Sequence, residues 1–134
     1  MEKRKGFTLI ELMVVILIVG ILASVAIPIM RGRIDSAKWS EGKAGMGSIA
    51  TALRAYSAEK AADGTYPPTL TTLGFQTSDL HGTYFVIGDY SIPAASFTAA
   101  ADPELTFTIR CDKASLAPTR MELDNTGAWT ESSP

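Results

Sequence analysis

Gly6-Phe7-Thr8-Leu9-Ile10-Glu11-Leu12, followed by Met13-Val14-Val15-Ile16-Leu17-Ile18-Val19-Gly20-Ile21-Leu22-Ala23-Ser24-Val25-Ala26-Ile27-Pro28-Ile29-Met30, decides how this chain is read. Nineteen residues from Leu12 to Met30 carry no formal charge. As a helix rising ~1.5 Å per residue, Phe7 to Met30 would reach ~36 Å, enough to cross a hydrocarbon core of ~30 Å. Glu2-Lys3-Arg4-Lys5-Gly6 stands ahead of the run with a net charge of +2. Bases at that end hold it on the cytoplasmic side of a membrane.

Outward from this run the chain changes character. Arg31 onward has nine bases against twelve acids, a net −3. The whole is 134 residues with 46% hydrophobic and 19% charged residues, enough for one small domain with an appendage. An acidic main domain is a poor match for nucleic acid, which is bound through a basic face. This hydrophobicity argues against disorder. Cys111 is the single cysteine and His81 the single histidine, so neither an intrachain disulfide nor a Cys/His metal site can be assembled, and a c-type haem motif is absent. No metal and no cofactor are expected.

Three readings fit the apolar run. A signal-anchor helix needs nothing more than its length. A secretory signal peptide finds a small-x-small cleavage site at Ser24-Val25-Ala26. Both leave Glu11 unexplained, because a carboxylate at mid-membrane costs roughly 2.5–3.5 kcal/mol and somewhat less near the edge. It either reaches back to the headgroups or is kept to pair with a cation when helices pack together.

Gly6-Phe7-Thr8-Leu9-Ile10-Glu11-Leu12, with Val14 to Ala23, Gly20 and then Pro28, resembles the N-terminus of type IV prepilins and of type II secretion pseudopilins. The resemblance covers roughly Lys5 to Arg31. It implies that a prepilin peptidase cuts after Gly6 and methylates the new amino group of Phe7, leaving residues 1–6 as a leader. N-methylation keeps that amine cationic. Placed in an apolar filament core it needs an anion, which Glu11 of a neighbouring copy supplies; breaking such a buried pair typically costs ~3–5 kcal/mol. Thr8 at the same end either donates to a carbonyl, faces solvent or caps the helix. Pro28 removes the hydrogen bond to the Ser24 carbonyl, and Gly20 lies one turn earlier without a side chain to stiffen the backbone. The pair is expected to kink the helix, and the resemblance implies a stretch able to unwind as subunits enter a filament.

Beyond Met30 the rhythm stays helical. Trp39, Gly42, Met46, Ile49, Leu53 and Tyr56 form one apolar stripe, predicted to lie on a sheet. Gly42-Lys43-Ala44-Gly45-Met46-Gly47-Ser48 lacks the Gly-Lys-Ser/Thr ending of a phosphate loop, so its glycines mark close packing or a flexible point. The helix should end near Ala62, with Asp63-Gly64 as stop and Pro67-Pro68 beyond.

The remainder reads as strands. Leu105, Phe107, Ile109 and Cys111 alternate with polar residues, as do Met121 and Leu123, and Asn125-Thr126-Gly127 can turn the chain into Ala128-Trp129-Thr130. An earlier strand is predicted over about Thr83 to Ile87, continuing to Ile92 after a break at Gly88-Asp89. Asp89, Asp102, Glu104, Asp112 and Asp124 lack the packed spacing of a calcium loop and read as solvated carboxylates. Cys111 is expected in the core and His81 in a loop.

The expected fold is α+β and pilin-like: a long N-terminal helix packed on a three- to four-stranded antiparallel head. Residues 7–30 form the membrane and assembly half, and 31–134 the head with the amphipathic second half of the helix. No Ser/His/Asp or Cys/His arrangement points to catalysis. The resemblance implies a structural subunit whose partners are copies of itself in a helical homopolymer, the prepilin peptidase, the inner-membrane pilus or secretion machinery, and the bilayer before assembly. It places the precursor in the inner membrane and the assembled chain in an extracellular filament, or alternatively in a periplasmic pseudopilus or as a minor or competence pilin.

Overall fold

The computed structural model describes residues 6–132; Met1 to Lys5 of the expected leader lie outside them. The chain divides into two compact units, one ending at Ile34 and the other beginning at Asp35.

In the first unit the backbone enters helix α1 (Leu9–Lys60). The helical assignment runs unbroken through Pro28. Every large apolar side chain from Phe7 to Ile34 is exposed. No polar face interrupts this surface between Leu12 and Met30, so the helix is apolar all round, the pattern of a membrane span or of a helix buried among others.

In the second unit the later turns of α1 lie on an antiparallel sheet. Trp39, Gly42, Met46, Ile49 and Leu53 are buried, as the predicted stripe requires, joined by Ala50 and Ser57. Tyr56 is only half-buried; its hydroxyl accepts the Thr65 N–H at 3.0 Å and ties down the chain that leaves the helix. A 3-10 turn at Ala61–Asp63 ends the helix, close to the predicted stop.

The sheet is a meander, β1 (Tyr90–Thr98), β2 (Glu104–Asp112), β3 (Arg120–Asp124) and β4 (Trp129–Ser132), hydrogen-bonded in that order. Phe107, Ile109, Cys111, Met121 and Leu123 face the helix and close one core with Trp39, Met46, Ile49 and Leu53. Gly127 takes the β3–β4 turn at φ +88°, a conformation that favours glycine. The Asp124 carboxylate accepts from the N–H groups of Thr126 and Ala128, each at 2.9 Å, and orders that turn.

The first strand differs from expectation. Thr83 to Val86 is irregular, Ile87–Asp89 is a 3-10 turn, and the strand starts at Tyr90. The reason is a competing acceptor: the N–H groups of Thr83, Tyr84 and Phe85 all go to the Glu41 carboxylate on α1, at 3.1, 2.9 and 2.8 Å. A segment whose donors are spent on one side chain cannot give them to a ladder. Proline 93 hides the true strand from its pattern. It sits on an edge strand, where the register slips between Ser91 and Ala94, the setting in which a sheet tolerates proline.

The long connections are fastened by specific contacts. The Trp39 indole N–H donates to the Pro118 carbonyl at 2.8 Å, and Lys113 pairs with Asp89 at 2.7 Å. Across β2 and β3, Arg110 pairs with Glu122 at 2.8 Å, and Arg120 pairs with Asp112.

Candidate assembly segment

Thr8 and Glu11 meet at the N-terminal turn of α1. Gly6 and Phe7 are exposed and precede the helix. Thr8 is its cap. The Thr8 N–H and hydroxyl both donate to Glu11 Oε2, at 2.9 and 2.6 Å, and the Glu11 N–H donates back to Thr8 Oγ1 at 3.3 Å. This reciprocal pairing is a capping box, formed by a Thr8 that is also exposed. The sequence carries this signal as Thr-x-x-Glu immediately ahead of an apolar run.

The cap changes the chemistry of Glu11. Its carboxylate sits where the first turn leaves N–H groups unpaired and where the helix dipole favours an anion. Two local donors hold it, and among the described residues no cation reaches it. It is therefore fixed in place yet electrically unmatched. An exposed apolar helix beginning with a positioned anion can bring that anion to a cation on another molecule.

Gly20 and Pro28 lie further along the same unit. A methyl group at Gly20 would meet nothing within 4 Å, so the position is open. The Ser24 hydroxyl donates to the Ile21 carbonyl at 2.7 Å, one turn before the carbonyl that Pro28 leaves without its usual donor.

The ionisable groups of the head are placed differently. No group of three or more His, Cys, Asp or Glu residues able to hold a metal ion occurs among the described residues. Cys111 is buried and free; desolvation, aided by the negative charges of Asp89 and Asp112, pushes its thiol up to about 12. A thiol so placed stays protonated at neutral pH and acts as a core residue. Desolvation pushes the Tyr90 phenol up as well. For Glu41, desolvation raises the carboxyl but is outweighed by the N–H donors of Tyr84, Phe85 and Thr83 and by the Lys113 charge, so it titrates below the ordinary range. His81 is an exposed loop residue.

The glycines of the Gly42–Ser48 stretch divide by role. A Cβ on Gly45 would stand 2.5 Å from the Tyr90 hydroxyl oxygen, and one on Gly42 would stand 3.0 Å from both the Phe85 and Trp39 rings. Gly47 faces open space. Close packing, not phosphate binding, explains the first two.

Comparison with known proteins bears on the same N-terminal segment. Residues 1–27 match the prokaryotic N-terminal methylation motif. The chain is 38% identical over 105 residues to the type IV major fimbrial protein FimA of Dichelobacter nodosus, covering 75% of this chain and 61% of FimA. It is 44% identical over 68 residues to the type II secretion system core protein G of Pseudomonas aeruginosa, covering 51% of this chain and 46% of that protein. Identity to the type IV major pilin protein PilA of Myxococcus xanthus is 43% over 58 residues, 43% of this chain and 26% of PilA. The chain thus spans less than two thirds of the length of each of these relatives. No solved structure matches it significantly.

Proposed function

We propose that the chain, whose N-terminus matches the methylation motif and which is similar to type IV pilins and a type II secretion core protein, is a structural subunit that polymerises through its apolar N-terminal helix into a type IV pilus-like filament. The observation that carries this reading is an exposed, wholly apolar helix that opens with a capped glutamate inside the matched methylation motif. The leader 1–6 is removed between Gly6 and Phe7 by a prepilin peptidase, which also methylates the Phe7 amine. In the membrane the helix of 7–30 anchors the subunit. On entry to the filament, the Phe7 amine of one copy meets Glu11 of another, which sets axial register; the head forms the outer surface. Gly20 and Pro28 supply the stretch that gives way as the stems pack. The assembly machinery is separate, and the subunit performs no catalysis. The likeness to a type II secretion core protein favours a second destination for the same mechanism, a periplasmic pseudopilus.

The mass and N-terminal sequence of the mature chain test the reading. Methyl-Phe7 is the expected start. A chain starting at Ile27 indicates ordinary signal cleavage, and an intact Met1 indicates a simple anchor; either result overturns the proposal. Substituting Gly6→Leu should leave the leader attached, read as the extra mass of residues 1–6.

A further inference from the structure

We propose that the acidic-rimmed apolar groove at the α1–β1–β2 end of the head is the docking site for the Met30–Ile34 segment of a second copy of this chain. The inference rests on the filament-subunit reading above and names where one copy holds another outside the apolar stem.

The charges of the head point to it. Lys38, Lys60, Arg110, Lys113 and Arg120 each pair with a carboxylate within the head. The remaining two head cations, Lys43 and Arg54, lie over the rings of Trp129 and Phe107 at 5.4 and 5.2 Å. Every described head cation is therefore engaged. Among the described residues, five exposed head carboxylates meet no cation at ion-pair distance: Asp63, Asp79, Asp102, Glu104 and Glu131. Three of them cluster by fold: Asp63 ends the 3-10 turn after α1, which packs against β1, while Asp102 and Glu104 stand where β1 turns into β2.

Next to these acids in sequence lies a mostly apolar groove of about 480 Å³, walled by Ser57, Ala58 and Ala61 of the helix end and by Phe97, Ala100, Pro103 and Leu105 of the hairpin; Asp102 and Glu104 adjoin Pro103, and Asp63 stands two positions beyond Ala61. The groove alone would fit many apolar partners. Its rim selects a cationic one with apolar side chains beside the charge.

Arg31 and Arg33 supply that chemistry. Both are exposed, and among the described residues neither meets a carboxylate at ion-pair distance. Along the helix Met30 and Ile34 stand one turn apart and make an apolar ridge, with Arg31 and Arg33 on either side of it. Met30 and Ile34 are 66% and 47% exposed. An arginine fork matches a carboxylate with two parallel hydrogen bonds, which gives the contact direction as well as charge. The described residues thus leave two cations beside exposed apolar side chains and three anions beside an apolar groove. Each set is unmatched within one copy and complementary between two.

Charge reversal in the full chain, expressed in a bacterium that assembles type IV filaments, tests this. Arg31→Glu with Arg33→Glu should lower the sheared filament yield about tenfold, since like charges then face each other across the contact. Adding Asp63→Arg and Asp102→Arg should restore it to within about threefold of the parent. An Ile34→Cys, Ala100→Cys chain should give a disulfide-linked ladder when its filaments are mildly oxidised. Normal assembly of the reversed variant, failure of the compensating pair to rescue it, or filaments without a ladder overturns the docking inference while leaving the filament reading intact. A reversed variant depleted from the membrane pool itself assigns the arginines to lipid phosphates and overturns it too. If the parent forms no filament, the proposed function falls and this inference with it.

Discussion

Thr8 and Glu11 share a hydrogen-bonded turn but should differ sharply in what their loss does. Thr8→Val removes the 2.6 Å bond from hydroxyl to carboxylate and the 3.3 Å return bond from the Glu11 N–H, and it leaves the Thr8 N–H donating to the carboxylate. Loss of such a cap costs about 1 kcal/mol and leaves the charge in place. Glu11→Gln does the reverse. The amide oxygen can still accept from Thr8, so the first turn survives, but the anion required by the proposed pairing with a neighbour's Phe7 amine is gone. An unmatched charge among packed apolar stems costs about 3–5 kcal/mol. The difference between the variants is then about 2–4 kcal/mol, roughly thirtyfold or more in subunit addition, since ~1.4 kcal/mol is tenfold. The assay is the ratio of sheared filament to membrane-pool subunit, with N-terminal mass as a check that processing is intact. The Gln variant should remain in the membrane, and the Val variant should assemble at reduced yield. The double variant should assemble no better than Gln alone, because the cap lost with Thr8 adds to the loss of the charge. Equal damage from the two single variants would show that the cap matters and the charge does not. Normal filament yield from Glu11→Gln would refute the pairing altogether.

Two further outcomes concern the head, read in the full chain in detergent by urea unfolding with tryptophan fluorescence. Gly47→Ala should stabilise by about 0.5–1 kcal/mol, because it faces open space in a helix where glycine is unfavourable. Gly45→Ala receives the same helical gain but drives a methyl group into the Tyr90 ring, an overpacking cost of about 1–3 kcal/mol, so it should unfold at lower urea than Gly47→Ala; identical stabilisation by both would deny the contact. Glu41→Ala orphans three N–H donors and should destabilise by about 1–3 kcal/mol at neutral pH. Because the folded carboxyl titrates below its ordinary value, its contribution is present above the unfolded value and is lost as pH falls through the folded one. Acidification below the usual carboxylate range should therefore narrow the gap between parent and Glu41→Ala, and a gap that persists unchanged into strong acid would count against the clamp.

The stem was legible because its signals are local. An uninterrupted apolar run, a glutamate at a fixed offset and a proline need no knowledge of what lies across the fold. β2 and β3 were equally readable, since a sheet with one buried face writes period-two alternation into its strands, and Phe107, Ile109 and Cys111 fall on that face. The capping box was legible in principle. Thr8 and Glu11 stand three residues apart just ahead of the apolar run, the spacing of a reciprocal cap.

What the sequence hid was set by one long-range competition. Thr83 to Val86 has a strand's composition, yet the donors of Thr83, Tyr84 and Phe85 belong to a carboxylate more than forty positions earlier. Nothing near residue 83 records that. The same contact explains Gly82: a Cβ there would collide with the Glu41 carboxylate, so the loop can close over the helix only where that position has no side chain. Once the loop is held by α1, the sheet must begin later. It begins at Tyr90, whose ring covers Gly45 and so fixes how closely helix and strand approach. The carboxylate that displaces the predicted strand and the glycine that admits Tyr90 lie one turn apart on α1, so a single stretch of helix decides where the head's first strand starts.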